Sequence, residues 1–330
     1  MSIIDTTLHD LQVGEGKTFK NLTIFPLIFT EPNSRDYLTL DEALASETAR
    51  VSEISDSGSV PELSFLNDGA EPVLLLDGEE LVGAKQNRVL NLSILAPAGK
   101  TTRIPVSCVE QGRWAYRSGA FSSEDRVHFS RGRATKAASV SRSMRESGSR
   151  RSDQSEVWNS VDMKSASLGV SSPTQSMSDI YRDRARSIEG YVNAFDVAAD
   201  QIGAIFAIDG TVAGLDLLET RDIFVELFPK LARSYALDAT ETADATTKKT
   251  DQGEADGFIE IVSSTPTENF PAVGLGNDLR LRSEMISGGG LVYAGRVVHL
   301  AAFPVLENRK RNHRGPRAHM TRASSRRKVN

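Results

Sequence analysis

Cysteine occurs once in this 330-residue chain, as Cys108, which excludes an intrachain disulfide and any metal site built from several thiolates. Within the run IPVSC, a lone thiol reads as a packed strand residue rather than a nucleophile. Five histidines are scattered without metal-ligand spacing, and His299 in VVHLAAF reads as strand packing. Long apolar runs are missing too: the longest uncharged one, IGAIFAI at 202–208, falls far short of the roughly 20 residues that span a bilayer. The opening MSIIDTTLHDLQVGEG lacks the basic-then-apolar order of a secretory leader. These absences predict a soluble, cytoplasmic protein with no membrane partner.

Familiar catalytic signatures are equally scarce. There is no Gly-x-Ser-x-Gly elbow, and GLG at 274–276 is shorter than a dinucleotide fingerprint. Gly288–Gly290 precedes a strand pattern, so it lacks the helix N-terminus of a phosphate cradle and reads as a bulge. No internal repeat is evident. The residues by themselves assign no metal and no cofactor.

What the chain does have is charge, unevenly distributed. The net charge is −5, yet residues 308–330 hold nine Lys or Arg and no acid, which leaves −14 on the rest. With almost no large apolar side chains, 308–330 is predicted to be a disordered basic tail, able to contact nucleic acid weakly and without sequence preference. A second basic block, RVHFSRGRATKAASVSRSMRESGSRR at 126–151, has eight bases and one acid and reads as part helix, part loop.

Hydrophobic residues make up 39% of the chain, below the roughly 45–50% usual for globular proteins, so some segments must lie outside the core. Residues 1–125 read as a β-rich segment, with strand candidates at 22–29, 49–55, 61–67, 72–76, 87–95 and 102–108. Pro105 places the last of these at an edge or a bulge. Residues 126–238 form a basic loop and helical segment. Asp153 with Glu156 opens one helix that Gly169 closes, Ser178 starts a second, and a third covers 220–238 with a kink or restart at Pro229. QIGAIFAIDG reads as a buried strand ending in an Asp-Gly turn. Residues 239–257 read as a polar linker or long loop. From 258 to 307 a C-terminal β segment, beginning with FIEIV and ending in a hairpin around Ala294-Gly295, completes the same domain. The predicted fold class is α+β: an antiparallel β-rich sandwich or barrel-like sheet with a helical middle segment and a C-terminal β hairpin.

One stretch stands out. DGEELVGAKQNRVLN, 77–91, follows VLLL, and eight of its fifteen side chains are charged or amide-bearing. Asp77-Gly78 explains itself as a two-residue hairpin turn, and Gly83 suggests a bulge. Glu79, Glu80 and Lys85 are candidate catalytic groups, the carboxylates as acid, base or metal ligand. Lys85 and Arg88 could neutralise phosphate, while Gln86, Asn87 and Asn91 orient a ligand. In CVEQGRWAYR, 108–117, Glu110 and Arg113 add a second acid and guanidinium, and Trp114 offers a stacking ring. The bland readings are a charged hairpin and an anchoring tryptophan. If 87–95 pairs with 102–108, both clusters fall at one end of the sheet.

GEELVGAKQNRVLN, APAG, RIPVSCVEQGRW, RSDQSEVW, SYALDA, FPAVGLGNDLRL and GRVVHLAAF together resemble the ADP-ribosylglycohydrolase- and rhodanese-phosphatase-associated protein domain family, from about residue 20 to 303. The resemblance implies a role near NAD or ADP-ribose metabolism, in a conflict or defence setting, and supplies no catalytic assignment. The expectation is a polar pocket that recognises, or also hydrolyses, a nucleotide or ADP-ribose-type phosphate ligand. The alternative is a non-enzymatic module that binds nucleic acid or a partner through the basic segments.

Overall fold

The apolar runs of the sequence become strands of three antiparallel or mixed sheets in a computed structural model, which describes residues 2–30, 34–55, 61–113, 119–243 and 249–305. In the N-terminal half the strands are β1 (Gln12–Val13), β2 (Lys17–Phe19), β3 (Leu22–Ile28), β4 (Leu38–Thr39), β5 (Ala49–Ser52) and β6 (Glu62–Asn67). They continue with β7 (Val73–Leu75), β8 (Glu79–Gly83), β9 (Arg88–Leu90), β10 (Ile94–Ala96), β11 (Lys100–Cys108) and β12 (Phe121–Val127). The C-terminal half adds β13 (Gln201–Ile208), β14 (Thr211–Leu218), β15 (Thr267–Pro271), β16 (Asn277–Arg282), β17 (Ile286–Tyr293) and β18 (Arg296–Pro304). The helices are α1 (Ile3–His9), α2 (Leu40–Ala45), α3 (Ser130–Ser147), α4 (Gln154–Leu168), α5 (Met177–Val192), α6 (Arg221–Ala239) and α7 (Gln252–Ser264).

A nine-stranded sheet runs β1-β3-β13-β14-β18-β17-β16-β15, with β2 also on β3, so the two ends of the chain share one sheet. Every residue of β13 is buried, as a central strand covered on both faces requires. A closed six-stranded barrel, β11-β6-β5-β12-β8-β9, is filled by Val51, Leu63, Phe65, Leu81, Leu90, Ile104 and Phe121. A small sheet, β10-β7-β4, lies beside it. The fold is therefore α+β with a genuine barrel, and the C-terminal hairpin turns at Ala294 (φ 49°) and Gly295 (φ 76°). Asp209 (φ 52°) and Gly210 (φ 76°) make the expected turn after β13. Such left-handed pairs form the tight turns that match the strands' twist.

α4 opens as expected, with the Asp153 carboxylate accepting from the amides of Ser155 and Glu156, and closes at Gly169 (φ 63°). α5 begins slightly earlier than Ser178, because Ser176 is its N-cap. α6 runs unbroken through Pro229; Val225, one turn earlier, is exposed, so the carbonyl left without an amide partner lies on the helix's solvent side.

Several expectations are corrected. The run 87–95 is two strands, β9 and β10, because the chain leaves the barrel at Asn91–Ser93 and joins β7 instead. β11 is not an edge: it pairs with β6 up to Pro105 and with β9 from Val106 onward, so the proline sits where its neighbour changes. Asp77-Gly78 is not a hairpin between paired strands. The Glu79 amide donates to the Leu76 carbonyl across a turn, with Gly78 at φ 85°, that carries the chain from the small sheet into the barrel. FIEIV is helix, not strand: Asp251 caps α7, and Ala255, Phe258 and Val262 recur on its buried side. Gly288–Gly290 lies inside regular β17, where a Cβ on Gly289 would come within 2.5 Å of the Arg280 guanidinium; the register shift falls one residue later, between Leu291 and Val292. The basic tail, 308–330, lies outside the described residues.

Candidate functional site

Pleating alternates side chains along β8, so Glu80 and Val82 share the face opposite Leu81, which fills the barrel. On the neighbouring strand, Ser123 pairs with Leu81 and Val127 with Glu79, leaving three residues of β12 opposite the single Glu80. This bulge throws Glu124, Asp125 and Arg126 outward together. Arg126 ion-pairs with the fully buried Glu80 carboxylate and reaches Glu124 at 3.4 Å. Burial opposes the charge on Arg126, but Glu80 outweighs it and raises its pKa.

Beyond β11, the segment 172–177 runs beside 109–112. The Gly112 amide donates to the Thr174 carbonyl at 2.8 Å and the Met177 amide to the Val109 carbonyl at 2.9 Å, which docks the first turn of α5 against the barrel. Glu110 sits at this junction. Its carboxylate accepts from Arg113 Nε (2.8 Å), the Asn87 amide (3.2 Å) and Thr174 Oγ1 (3.0 Å). From there a chain of bonds leads on: Arg113 Nη2 donates to Asn87 Oδ1 (2.9 Å), Asn87 Nδ2 to Ser178 Oγ (2.9 Å), and Ser178 Oγ to Glu80 Oε1 (2.7 Å). The side chains of Glu110, Arg113, Asn87, Ser178 and Glu80 thus partner one another, and low dielectric makes that satisfaction count.

This network forms one side of a cleft of about 690 Å³ between the β12 bulge, the face of α5 and α6. Its polar lining includes Asn87, Glu110, Thr174, Ser176 and Ser178, with Arg126, Arg182 and Arg233; Val82, Tyr181, Ala185 and Ile188 supply apolar surface. Arg182 pairs with Asp179 at 2.7 Å and Arg233 with Glu189 at 2.8 Å. Tyr181 donates its hydroxyl to the Val127 carbonyl (2.8 Å), fixing a ring that Arg126 overlies at 5.7 Å. The volume falls in the usual range for small-molecule sites.

The residues singled out in the sequence divide among several separate places. Asn87 and Glu110 line the cleft, with Arg113 bonded to both and Glu80 joined to Asn87 through Ser178. Glu79 faces elsewhere, 2.8 Å from Lys230, which also holds Asp41 at 2.6 Å. Burial opposes the Lys230 charge, but the two acids outweigh it and raise its pKa. Gln86 and Arg88 belong to a third cluster: Gln86 Oε1 accepts from Cys108 Sγ (2.8 Å) and Arg88 Nη1 (3.2 Å), and burial pushes the Cys108 thiol up to about 11. Asn91 is bonded to Ser107 and to the Arg150 carbonyl. Lys85 is half-buried outside the cleft lining, and Trp114 lies outside the described residues. Sequence reasoning missed Arg126, Ser178, Tyr181, Arg182 and Arg233. The run SSPTQSMS at 171–178, dense in hydroxyls ahead of a helix, was the available signal.

The 126–151 block has another role than a free basic surface. Six of its eight cations are ion-paired with acids from other segments: Arg126 with Glu80, Arg131 with Glu241, Arg133 with Asp216, Lys136 with Asp77, Arg142 with Glu156 and Arg145 with Glu268. Arg133 and Lys136 are fully buried, and Asp216 also accepts from Tyr235 and lies 3.5 Å from His299. His299 Nδ1 shares a 2.8 Å hydrogen bond with Ser93. Among the described residues no cluster of three or more His, Cys, Asp or Glu is placed to hold a metal ion, and no helix is long and apolar enough to cross a membrane.

Barrel, large sheet and charged cleft define an α+β protein with a polar cavity at the junction of barrel and helices. The chain belongs to the family described as the ARG and Rhodanese-Phosphatase-superfamily-associated Protein domain, whose model matches residues 10–303. No curated protein and no solved structure matches it significantly.

Proposed function

We propose that the cleft beside Glu110 recognises a nucleotide or ADP-ribose-type phosphate ligand. The observation that carries this reading is the convergence of Arg126, Arg182 and Arg233 with the hydroxyls of Thr174, Ser176 and Ser178 around one cavity of about 690 Å³. Guanidinium forks suit phosphate oxygens, and the first amides of α5 add positive dipole at the same end. Carboxylates such as Glu110 accept from ribose hydroxyls, and the Tyr181 ring with Val82, Ala185 and Ile188 offers a surface for a base. The family's name associates it with ADP-ribosylglycohydrolase-type proteins, which supports the same ligand class. The basic segment at 126–151 is a weaker basis for nucleic-acid binding, since Arg133 and Lys136 are buried and paired in the interior, away from any surface.

A ligand that binds only the folded state raises the melting temperature by mass action. In a thermal-shift panel of ADP-ribose, oxidised nicotinamide dinucleotide, mononucleotides and cyclic nucleotides, at least one compound should stabilise the full-length protein. Arg182, whose side chain is 75% exposed, can be removed without disturbing the core. Arg182→Ala should therefore melt like the unliganded wild type and respond less to the ligand. A panel without any shift would refute the reading. Chromatography of the incubated ligand would show whether recognition is accompanied by hydrolysis.

A further inference from the structure

The cleft has more acid than base. Among the described residues five carboxylates line it, Glu110, Glu124, Asp125, Asp179 and Glu189, against three arginines, a formal excess of two negative charges. Glu80 and Arg113, buried behind the lining and paired with Arg126 and Glu110 respectively, add one charge of each sign and leave the excess unchanged. Every arginine is already engaged by a carboxylate: Arg126 by Glu80 and Glu124, Arg182 by Asp179, Arg233 by Glu189. A phosphate entering this site must share those arginines with acids that stay in place. A ligand with many negative charges pays that repulsion several times over, and one that also carries a positive group offsets it.

One carboxylate is placed to receive such a group. Asp125 stands on the β12 bulge, exposed, and its side chain makes no hydrogen bond or ion pair among the described residues; only its backbone carbonyl is used, accepting from Arg233 Nη1 at 3.1 Å. The bulge that sets Arg126 toward Glu80 also sets Asp125 at the rim of the same cavity. An arginine of the cleft lining and an acid whose side chain has no partner among the described residues therefore stand one residue apart.

We infer that the cleft selects a zwitterionic nucleotide, one whose anionic phosphates are joined to a cationic group, and that Asp125 is the residue that reads the cation. This rests on the nucleotide reading above and narrows it. A pyridinium dinucleotide is the simplest probe, because reduction of its ring removes one positive charge and leaves the rest of the molecule nearly unchanged. Highly charged triphosphates fall at the bottom of the same scale.

Isothermal titration of the full-length protein with the oxidised and reduced nicotinamide dinucleotides, ADP-ribose and ATP tests the inference. The oxidised form should bind about fivefold more tightly than the reduced form, the size of one partly exposed ion pair. ADP-ribose should resemble the reduced form, and ATP should bind most weakly. Asp125→Asn, on an exposed position, should keep the wild-type melting temperature and bring the oxidised form down to the affinity of the reduced one. Equal affinities for the two redox forms in the wild type, or ATP as the tightest ligand, would overturn the inference while leaving nucleotide recognition intact. A preference that survives Asp125→Asn would overturn the assignment of that residue. Absence of binding by all four would overturn both this inference and the reading beneath it.

Discussion

Asn87 on the barrel and Ser178 in the first turn of α5, 91 residues apart in the chain, are joined by a 2.9 Å hydrogen bond that completes the wall of the cleft. Ser178 passes the connection on to Glu80, whose other oxygen is held by Arg126. Two elements far apart in sequence thus share one buried carboxylate.

That sharing predicts an order of stabilities. Ser178→Ala removes one neutral donor from Glu80 and should cost about 1–2 kcal/mol. Arg126→Ala leaves the fully buried Glu80 charge without its counterion and should cost about 3–5 kcal/mol. Urea unfolding measures both, and Ser178→Ala as the more damaging change would contradict the assignment of Arg126 as the main partner of Glu80.

A second prediction concerns the deeper pair. Arg133 Nη1 reaches Asp216 Oδ2 at 3.0 Å and Nη2 reaches Oδ1 at 2.5 Å, with both side chains fully buried. Arg133→Leu or Asp216→Leu alone should cost about 3–5 kcal/mol, because each strands a charge in the interior. The double variant should cost clearly less than the two single losses combined. Additive losses in a double-mutant cycle would show that the pair is not energetically coupled.

Acid should destabilise the protein through His128. Its ring is buried, and neither nitrogen has a hydrogen-bond partner among the described residues. Burial first, then the nearby Lys136, Arg133 and Lys164 charges, hold its pKa well below the usual value of 6.5. Below pH 6.5 the unfolded chain binds a proton that the folded chain refuses, so this contribution is complete above that pH and is lost as the pH falls toward the depressed folded value. The slope approaches about 1.4 kcal/mol per pH unit. Denaturant midpoints of wild type and His128→Gln between pH 7.5 and 5 provide the check. The variant should show a shallower acid slope, and equal slopes would rule the histidine out.

The class α+β, the strands at 22–28, 62–67 and 201–208, the caps of α4 and the turns at Asp209-Gly210 and Ala294-Gly295 were legible in the sequence. Each follows from short-range physics: apolar runs of strand length, a carboxylate near the first amides of a helix, residues that tolerate positive φ. FIEIV was misread for the same reason. Five apolar-rich residues fit a strand, and only the cap at Asp251 with Ala255, Phe258 and Val262 on one side makes them helix.

The polar stretch at 77–91 was recognisable as unusual, but its division was not. Glu79 and Glu80 are adjacent in sequence and face opposite sides of β8, one toward Lys230 on α6 and the other toward Ser178 on α5. Sequence alone determined that these charges exist beside strongly apolar strands and so must be paired if buried. The partners lie 151 and 98 residues away, and no local rule selects them. The bulge that brings Glu124, Asp125 and Arg126 to the cleft arises from the register between β8 and β12 as the barrel closes. Residue chemistry is carried by the chain itself, whereas a site needs several such groups within a few ångströms, and only tertiary packing sets those distances.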